Sequence, residues 1–297
     1  MTFSTKIISV TFTLANGQFQ GTGSNTLTVS GRRVLFHMEQ QGIFSKDYVV
    51  TSIYGMTQSQ MNQLSTYAAY PYQGNENTIS VSAGDASGMA LVFQGNIFQA
   101  NADYNAMPNV PFVLTAFQSS FDSVVVTPPT SYSGPTDVAS ILTAMGAQYS
   151  SGPLRVENNG VDVKLASPYF SGSLGDQVNA CVKAANIDCR VSTVEGVIAI
   201  WPKGQSRQGQ AVTISPTTGL IGYPTFNLNQ IRFRCEFNPN IRFGVPVTIQ
   251  SSLQPACGNW TPTTISYDLQ SETPDGAWWQ TIQAFTNFNG SPSGVLQ

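Results

Sequence analysis

The chain has 297 residues and only 10% of them are charged, 13 basic against 16 acidic for a net charge of −3, where ordinary soluble proteins carry about 25% charge. Basic and acidic residues number 4 and 6 up to Val126, 5 and 6 from Thr127 to Gln205, and 4 and 4 beyond, so no segment is basic enough for a nucleic-acid groove built on phosphate contacts. Ser, Thr, Asn, Gln and Gly fill the place of charge; they enter a contact without the desolvation cost of an unpaired charge, which suits a subunit whose outside becomes interface, the other reading being a secreted all-β protein with a neutral polar coat.

From Met1 to Leu14 apolar residues alternate with Ser and Thr instead of forming one apolar block, so no signal peptide is expected. No run reaches the ~18 apolar residues of a membrane span, and the expectation is a soluble protein made in the cytoplasm. Ile8, Val10, Phe12 and Leu14 carry the period of a half-buried strand. The same alternation recurs at Leu27 and Val29, at Val34, Phe36 and Met38, at Val49, Thr51 and Ile53, at Ile79, Val81 and Ala83, and at Val110, Phe112, Leu114 and Ala116. This predicts a mostly antiparallel β domain over residues 1–126. One helix interrupts it, announced by a capping box of Thr57 and Gln60 and carrying Met61, Leu64 and Ala68 on one face.

The stretch Thr127-Pro128-Pro129-Thr130-Ser131-Tyr132-Ser133-Gly134-Pro135 suits neither a helix nor a central strand and reads as a linker. Beyond it Val138, Ile141, Leu142, Met145 and Tyr149 mark a helix behind a Thr136 cap, with Asp137 in its first turn. A second helix starts near Ser173 with Val178, Cys181, Val182 and Ala185 inward. Strands are expected at Val161–Leu165, Cys189–Thr193 and Val197–Trp201, the last two turned into a hairpin at Glu195-Gly196. Residues 127–205 thus form a linker and a small α/β module.

Period two returns over residues 206–297, with Ile231, Phe233, Cys235 and Phe237, then Val245, Val247 and Ile249, then Ile265, Tyr267 and Leu269. Arg232 and Arg234 lie opposite the apolar face of their strand, and Arg242 follows the Asn238-Pro239-Asn240 turn; they could clamp a partner's carboxylate or line a solvated face. Gly244 and Pro246 suggest a bulge or an edge. Trp278 and Trp279 face opposite sides of the last strand, one expected in the core and the other available to a subunit contact.

Candidate chemistry is sparse. Cys181, Cys189, Cys235 and Cys257 match no zinc or redox spacing and read as packed free thiols. His37, the single histidine, has no cysteine or acidic cluster near it in sequence, so no metal site and no catalytic dyad is expected. Gly21 to Ser24 and Asn289 to Gly294 lack the context of a phosphate loop and read as turns or tail. One reading makes the chain a carbohydrate-binding or glycan-degrading β protein, with Trp260, Trp278, Trp279 and Tyr267 as stacking platforms and Glu236 and Asp268 as acid and base.

The third segment carries a resemblance. Ile214-Ser215-Pro216-Thr217-Thr218-Gly219-Leu220-Ile221-Gly222-Tyr223-Pro224-Thr225-Phe226, Phe237-Asn238-Pro239, Ala256-Cys257-Gly258-Asn259-Trp260 and Leu269-Gln270-Ser271-Glu272-Thr273-Pro274-Asp275-Gly276-Ala277-Trp278 resemble, in order and spacing, baseplate hub proteins of contractile-tailed bacteriophages. Tyr54-Gly55-Met56, Ala83-Gly84-Asp85, Val92-Phe93-Gln94-Gly95 and Ile200-Trp201-Pro202-Lys203-Gly204 share the pattern. The resemblance implies a mainly β fold in which two tail-tube-like β-barrel domains flank the small α/β module. It implies a homotrimer that fits the sixfold tail tube to a threefold central spike, in the virion's tail baseplate, with the tape-measure protein and DNA passing a lumen that does not bind DNA specifically. It implies no catalytic residue, no cofactor and no membrane insertion. A tube or tail-completion protein without spike contact shares the fold. Arg232, Arg234, Arg242 and Trp279, strand Ile8 to Leu14 and the tail Asn287 to Gln297 are the candidate contacts. Asp275 stands where the family pattern has Gly, a change a turn tolerates.

Overall fold

In the computed structural model residues 5–42, 45–66, 77–227 and 229–286 are described. Ala68 and the tail Asn287–Gln297 lie outside the described residues. The chain forms two compact units, one from the described residues of Met1–Met38, Lys46–Val125 and Asp268–Trp278, the other from those of Glu39–Ser45, Val126–Tyr267 and Trp279–Gln297.

The first unit follows the alternation closely. Its strands are β1 (Ile7–Thr13), β2 (Thr26–Val29), β3 (Val34–Gln41), β4 (Tyr48–Tyr54), β5 (Thr78–Asp85), β6 (Gly88–Ala102) and β7 (Pro111–Phe117). They run in the order β2-β1-β5-β6-β7-β4-β3, with β1/β2, β1/β5, β5/β6, β6/β7 and β4/β7 antiparallel. Ile8, Val10 and Phe12 from β1, Val81 and Ala83 from β5 and Phe112 from β7 are fully buried, and the Phe12 and Phe112 rings meet edge to face at 6.4 Å. Register shifts at Val81/Ser82 and Ile97/Gln99 bend the long strand β6. At Gly95 a Cβ would fall inside contact with the Phe117 carbonyl, a steric reason for the glycine in Val92-Phe93-Gln94-Gly95. Helix α1 (Gln58–Leu64) has the expected capping box of Thr57 and Gln60 and buries Met61 and Leu64.

In the second unit the module contains β8 (Thr130–Ser131), β9 (Pro135–Asp137), α2 (Val138–Gly146), β10 (Arg155–Asn158), β11 (Lys164–Ala166), β12 (Tyr169–Phe170), α3 (Leu174–Ala185), β13 (Ile187–Ser192) and β14 (Val197–Pro202). The stretch read as a linker is ordered. It supplies β8, paired with β12, and β9, paired with β11. The reason is Gln177 on α3, whose fully buried amide donates to Thr127 Oγ1 at 3.0 Å and to the carbonyl oxygens of Pro128 and Gly172, and whose Oε1 accepts from the Thr130 amide at 3.1 Å. The cap of α2 is Asp137, one residue later than expected, because its carboxylate accepts from the Ser140 amide. Helix α3 starts at Ser173 with a capping box completed by Asp176.

The predicted strand at Val161–Leu165 is realised only as β11, while β10 carries no period-two signal and was not expected. It runs parallel to β14, which pairs antiparallel with β13. Val138, Ile141, Leu142, Met145, Val178 and Cys181 from the helices bury against Ile198 and Ile200 of β14, each fully buried Val, Leu or Ile contributing roughly 1.5–3 kcal/mol. The opposite face of β14, Val197, Ala199 and Trp201, buries against Phe243. A strand covered on both sides has no solvent face to mark with polar residues, hence the unbroken run Val197-Ile198-Ala199-Ile200-Trp201.

The remaining strands are β15 (Val212–Ile214), β16 (Leu220–Asn227), β17 (Gln230–Glu236), β18 (Val247–Ile249), β19 (Gly258–Ser271) and β20 (Trp278–Phe285). Within the second unit the order is β16-β17-β20-β19, and β18 joins β19 to β15. Ile231, Phe233 and Cys235 of β17 and Ile282 and Ala284 of β20 face the core.

Candidate functional site

A buried ion network forms where the module meets the segment after it. The turn between β13 and β14 is closed by Ser192 Oγ, which accepts from the Glu195 amide at 3.1 Å and presents the Glu195 carboxylate. Glu157 leaves β10 beside Asn159, whose amide donates to the Glu157 carbonyl at 3.0 Å and whose Oδ1 accepts from the Gln208 amide at 3.0 Å. Between the two carboxylates sits Arg207, its side chain 0% exposed and its own amide donating to the Gly244 carbonyl at 2.9 Å.

The guanidinium grips both partners in bidentate fashion: Nε and Nη2 to Glu157 at 2.7 and 2.8 Å, Nη1 and Nη2 to Glu195 at 3.1 and 2.6 Å. Arg242 Nη1 adds a 3.1 Å bond to Glu195 Oε2. Two cations and two anions therefore cancel, the condition under which a buried charge is tolerated. The Arg207 hydrogen bonds hold the Glu157 carboxyl down at about 2 although burial acts to raise it. Burial alone would depress the Arg207 pKa, and the bonds to Glu157 and Glu195 more than offset that, so it stands above the ordinary value. Nothing local in the sequence marks Arg207, because its partners lie 50 and 12 residues away.

The second feature is the outward face of β16, β17 and β20. Arg232 and Arg234 are exposed on it, as expected. The Arg234 guanidinium carbon lies 5.0 Å from the centre of the Trp279 ring, and Lys6 Nζ lies 5.8 Å from that of Trp278. Neither tryptophan is a core residue, contrary to the expectation for one of them; both are half-buried under a cation. Arg242 is engaged with Glu195 and also borders an open groove of about 530 Å³ with Gln210, Ala211, Val212, Pro239 and Asn240.

The shared motif residues build turns and this edge. Thr218 Oγ1 accepts from the Ser215 amide at 2.8 Å ahead of Gly219, and Leu220 to Pro224 lie in β16, with Gly222 at φ +68° and a register shift between Ile221 and Thr225. Phe237 packs on Tyr267 with ring centres 6.2 Å apart. The Asn238 amide donates to Gln280 Oε1 at 3.2 Å, and Asn238 Oδ1 accepts from the Asn240 amide at 3.0 Å across Pro239. Cys257 Sγ donates to the Ser251 carbonyl at 3.2 Å, between the buried Ala256 and Gly258, and Trp260 Nε1 donates to the Ala256 carbonyl at 2.9 Å. Asp275 has φ +51°, a left-handed conformation that Asp adopts more readily than most residues, which accounts for Asp in place of Gly.

His37 departs from expectation. Its Nδ1 lies 2.8 Å from Asp268 Oδ1, a pairing 231 residues apart that alternation could not show. Both side chains are about 40% exposed, and among the described residues no group of three His, Cys, Asp or Glu side chains could hold a metal ion. Of the stacking platforms in the carbohydrate reading, Trp260 and Tyr267 are buried. The four cysteines are free, and burial pushes Cys181, Cys189 and Cys235 up to about 12. Strand β1 is paired on both sides over Val10–Thr13, so its edge there is already used within the first unit.

The sequence matches the family described as "Baseplate hub gp41" over residues 7–282. No curated protein matches the chain in sequence. Among solved structures the fold is similar to a tail protein from Neisseria meningitidis MC58, at a TM-score of 0.63 and 8% identity, covering 94% of this chain and 97% of that one. It is also similar to the 43 kDa tail protein of prophage MuSo2 from Shewanella oneidensis, at a TM-score of 0.58, 8% identity and coverages of 95% and 96%. A third similar structure is the E. coli c3393 protein, a type VI secretion component with structural similarity to T4 tail proteins gp27 and gp5, at a TM-score of 0.56, 9% identity and coverages of 85% and 73%. At these identities the likeness is one of fold: mainly β, with a large antiparallel sheet. Among the described residues no helix is long and apolar enough to cross a membrane.

Proposed function

As the chain belongs to the baseplate hub gp41 family, we propose that it is a structural component of the virion that trimerises and adapts a sixfold tail tube above to a threefold central spike below. The observation that carries this reading is the family match over residues 7–282, and the tail-protein folds similar to it along most of the chain support it. In this reading two tube-like β domains, 1–126 and 206–297, flank the module of residues 127–205. The module's own core of helix and strand side chains supports treating it as a distinct part. Three copies of two similar domains give a ring of pseudo-sixfold symmetry, which reconciles a threefold spike with a sixfold tube. The tape-measure protein and DNA pass the lumen; a chain with net charge −3 and no basic stripe suits a channel that does not hold phosphates. Arg232, Arg234, Arg242 and Trp279 are the proposed contact residues, Arg242 after exchange or sharing of its bond to Glu195. The reading gives the chain no catalytic role and no cofactor, and places its synthesis in the host cytoplasm and its final location in the tail baseplate.

The experiment is the solution mass by light scattering, alone and with the separately purified spike and tube proteins. A trimer, or a three-plus-three complex with the spike, is expected. A protein that binds the tube but ignores the spike would instead be a tube or completion component, and one that stays monomeric and ignores both would refute the reading.

A further inference from the structure

We propose that the turn between β2 and β3 is a docking point for an acidic segment of a partner polypeptide, held by Arg32 and Arg33. The site lies in the first unit, is separate from the contact residues named above, and stands whether or not the chain is trimeric.

Both arginines are exposed, and both are fixed by packing instead of by charge. The Arg33 guanidinium carbon lies 4.7 Å from the centre of the Tyr54 ring, a cation–π distance, and the Arg33 carbonyl accepts from the Tyr54 amide at 3.0 Å. Arg32 lies across Gly55: a Cβ on that residue would fall 2.7 Å from Arg32 Nη1 and 3.5 Å from its Cδ. The Arg32 carbonyl accepts from the Ser271 hydroxyl at 2.9 Å. Gly55 is also held at φ +77°, so backbone and space both call for glycine there. The Tyr54-Gly55 pair of the shared motif thus has a physical role, a ring under one arginine and room for the other.

Among the described residues neither guanidinium forms an ion pair or a hydrogen bond, whereas Lys6 meets Asp85 and both Arg207 and Arg242 meet Glu195. Glu272 follows Ser271 in the chain, yet it and Asp275 on the same turn stay off both arginines. Fixing an arginine costs rotamer entropy, and here no internal carboxylate offsets that cost. Donors positioned in advance with nothing to donate to are the arrangement that a ligand completes. A guanidinium matches carboxylate or phosphate, and the surroundings choose between them. A nucleic-acid backbone is held by a row of cations; here there are two, and Glu272, one residue from the serine that bonds Arg32, would repel the next phosphates. Adjacent cations suit a short segment with neighbouring carboxylates, which is acidic polypeptide.

The test is fluorescence anisotropy of labelled tetraglutamate titrated with the full chain at low and high salt, beside labelled tetraglutamine and a short labelled DNA duplex, with circular dichroism and melting as folding controls. Arg32→Gln and Arg33→Gln each remove one cation. Tyr54→Leu and Gly55→Ala keep both charges and disturb only their positions, and Arg155→Gln, at an exposed arginine of the module, controls for bulk charge. Saturable binding of tetraglutamate that weakens with salt is expected, with none of tetraglutamine. The affinity should fall about 10-fold in Arg32→Gln and Arg33→Gln and roughly 2- to 5-fold in Tyr54→Leu and Gly55→Ala, and stay unchanged in Arg155→Gln. If Gly55→Ala misfolds, Tyr54→Leu carries the comparison. Absence of saturable binding overturns the proposal, as does an equal loss in Arg155→Gln, which would make the attraction unspecific. Undiminished binding by folded Tyr54→Leu and Gly55→Ala overturns the prepared site, and a duplex that binds more tightly than tetraglutamate overturns the choice of polypeptide over phosphate.

Discussion

Replacing Glu157 by Gln removes one charge from the Arg207 network while keeping the shape of the side chain. The carboxyl titrates at about 2 in the fold against 4.5 when free, a depression of roughly 2.5 units, and at about 1.36 kcal/mol per unit this amounts to ~3 kcal/mol. The carboxylate is 22% exposed, and solvent screening brings the expected value nearer ~2 kcal/mol. A group with a depressed folded pKa contributes stability above its unfolded pKa and loses it as pH falls through the folded one. The Glu157 contribution is therefore complete at pH 7, begins to fade near pH 4.5 and is gone below about 2. The assay is urea unfolding of wild type and Glu157→Gln, followed by tryptophan fluorescence at a series of pH values from 7 down to 3. The variant is expected to be less stable by ~2 kcal/mol at pH 7, and the gap to narrow steadily as the pH drops. Parallel curves with a constant gap, or no gap at neutral pH, would refute the argument that the charge on Glu157 is what the guanidinium holds. Arg207→Met, which leaves two carboxylates facing each other, is expected to cost more, on the order of 3–5 kcal/mol.

Three further outcomes are expected. In the native protein a thiol reagent such as DTNB should label Cys257 alone, since the other three thiols are buried and pushed up to about 12, and all four should react in denaturant; fast labelling of a second thiol would contradict the packing. Gln177→Leu removes the anchor of Thr127 to Thr130, so limited proteolysis should cut at Thr127–Ser131 while the helices persist, with a loss of about 1–3 kcal/mol; an uncut segment would mean β8 and β9 hold it unaided. Arg234→Ala should change Trp279 fluorescence and cost about 0.5–1 kcal/mol, and an unchanged spectrum would show that the guanidinium does not rest on the ring.

Alternation and helical period were legible because each is a one-dimensional record of which side of an element is buried. Ile8, Val10 and Phe12, the α2 set from Val138 to Met145 and the α3 set from Val178 to Ala185 are all buried as their spacing indicates. The Thr57 box was legible because a cap is completed within three residues, and the start of α3 near Ser173 was legible too, although the Asp176 half of its box emerged only in the structure. The misses share a cause. Gln177 lies on the helix without any signal of its role in the sequence, yet its amide orders Thr127 to Thr130 from 47 to 50 residues away. His37 read as isolated because Asp268 is 231 residues distant, and the two tryptophans read as one core and one surface because their cations, Lys6 and Arg234, come from distant parts of the chain.

By itself the amino-acid order determined the period of most elements, the cap of α1, the neutral polar composition and the motif order that matches the hub family. Only the tertiary structure decided that Arg207 is a buried centre instead of a surface cation, and that Tyr223 stands on an open edge. The physical reason is that hydrophobic period is set by neighbours in the chain, whereas a charge or a sheet edge takes its role from whichever distant segment packs against it, and no local pattern encodes that partner.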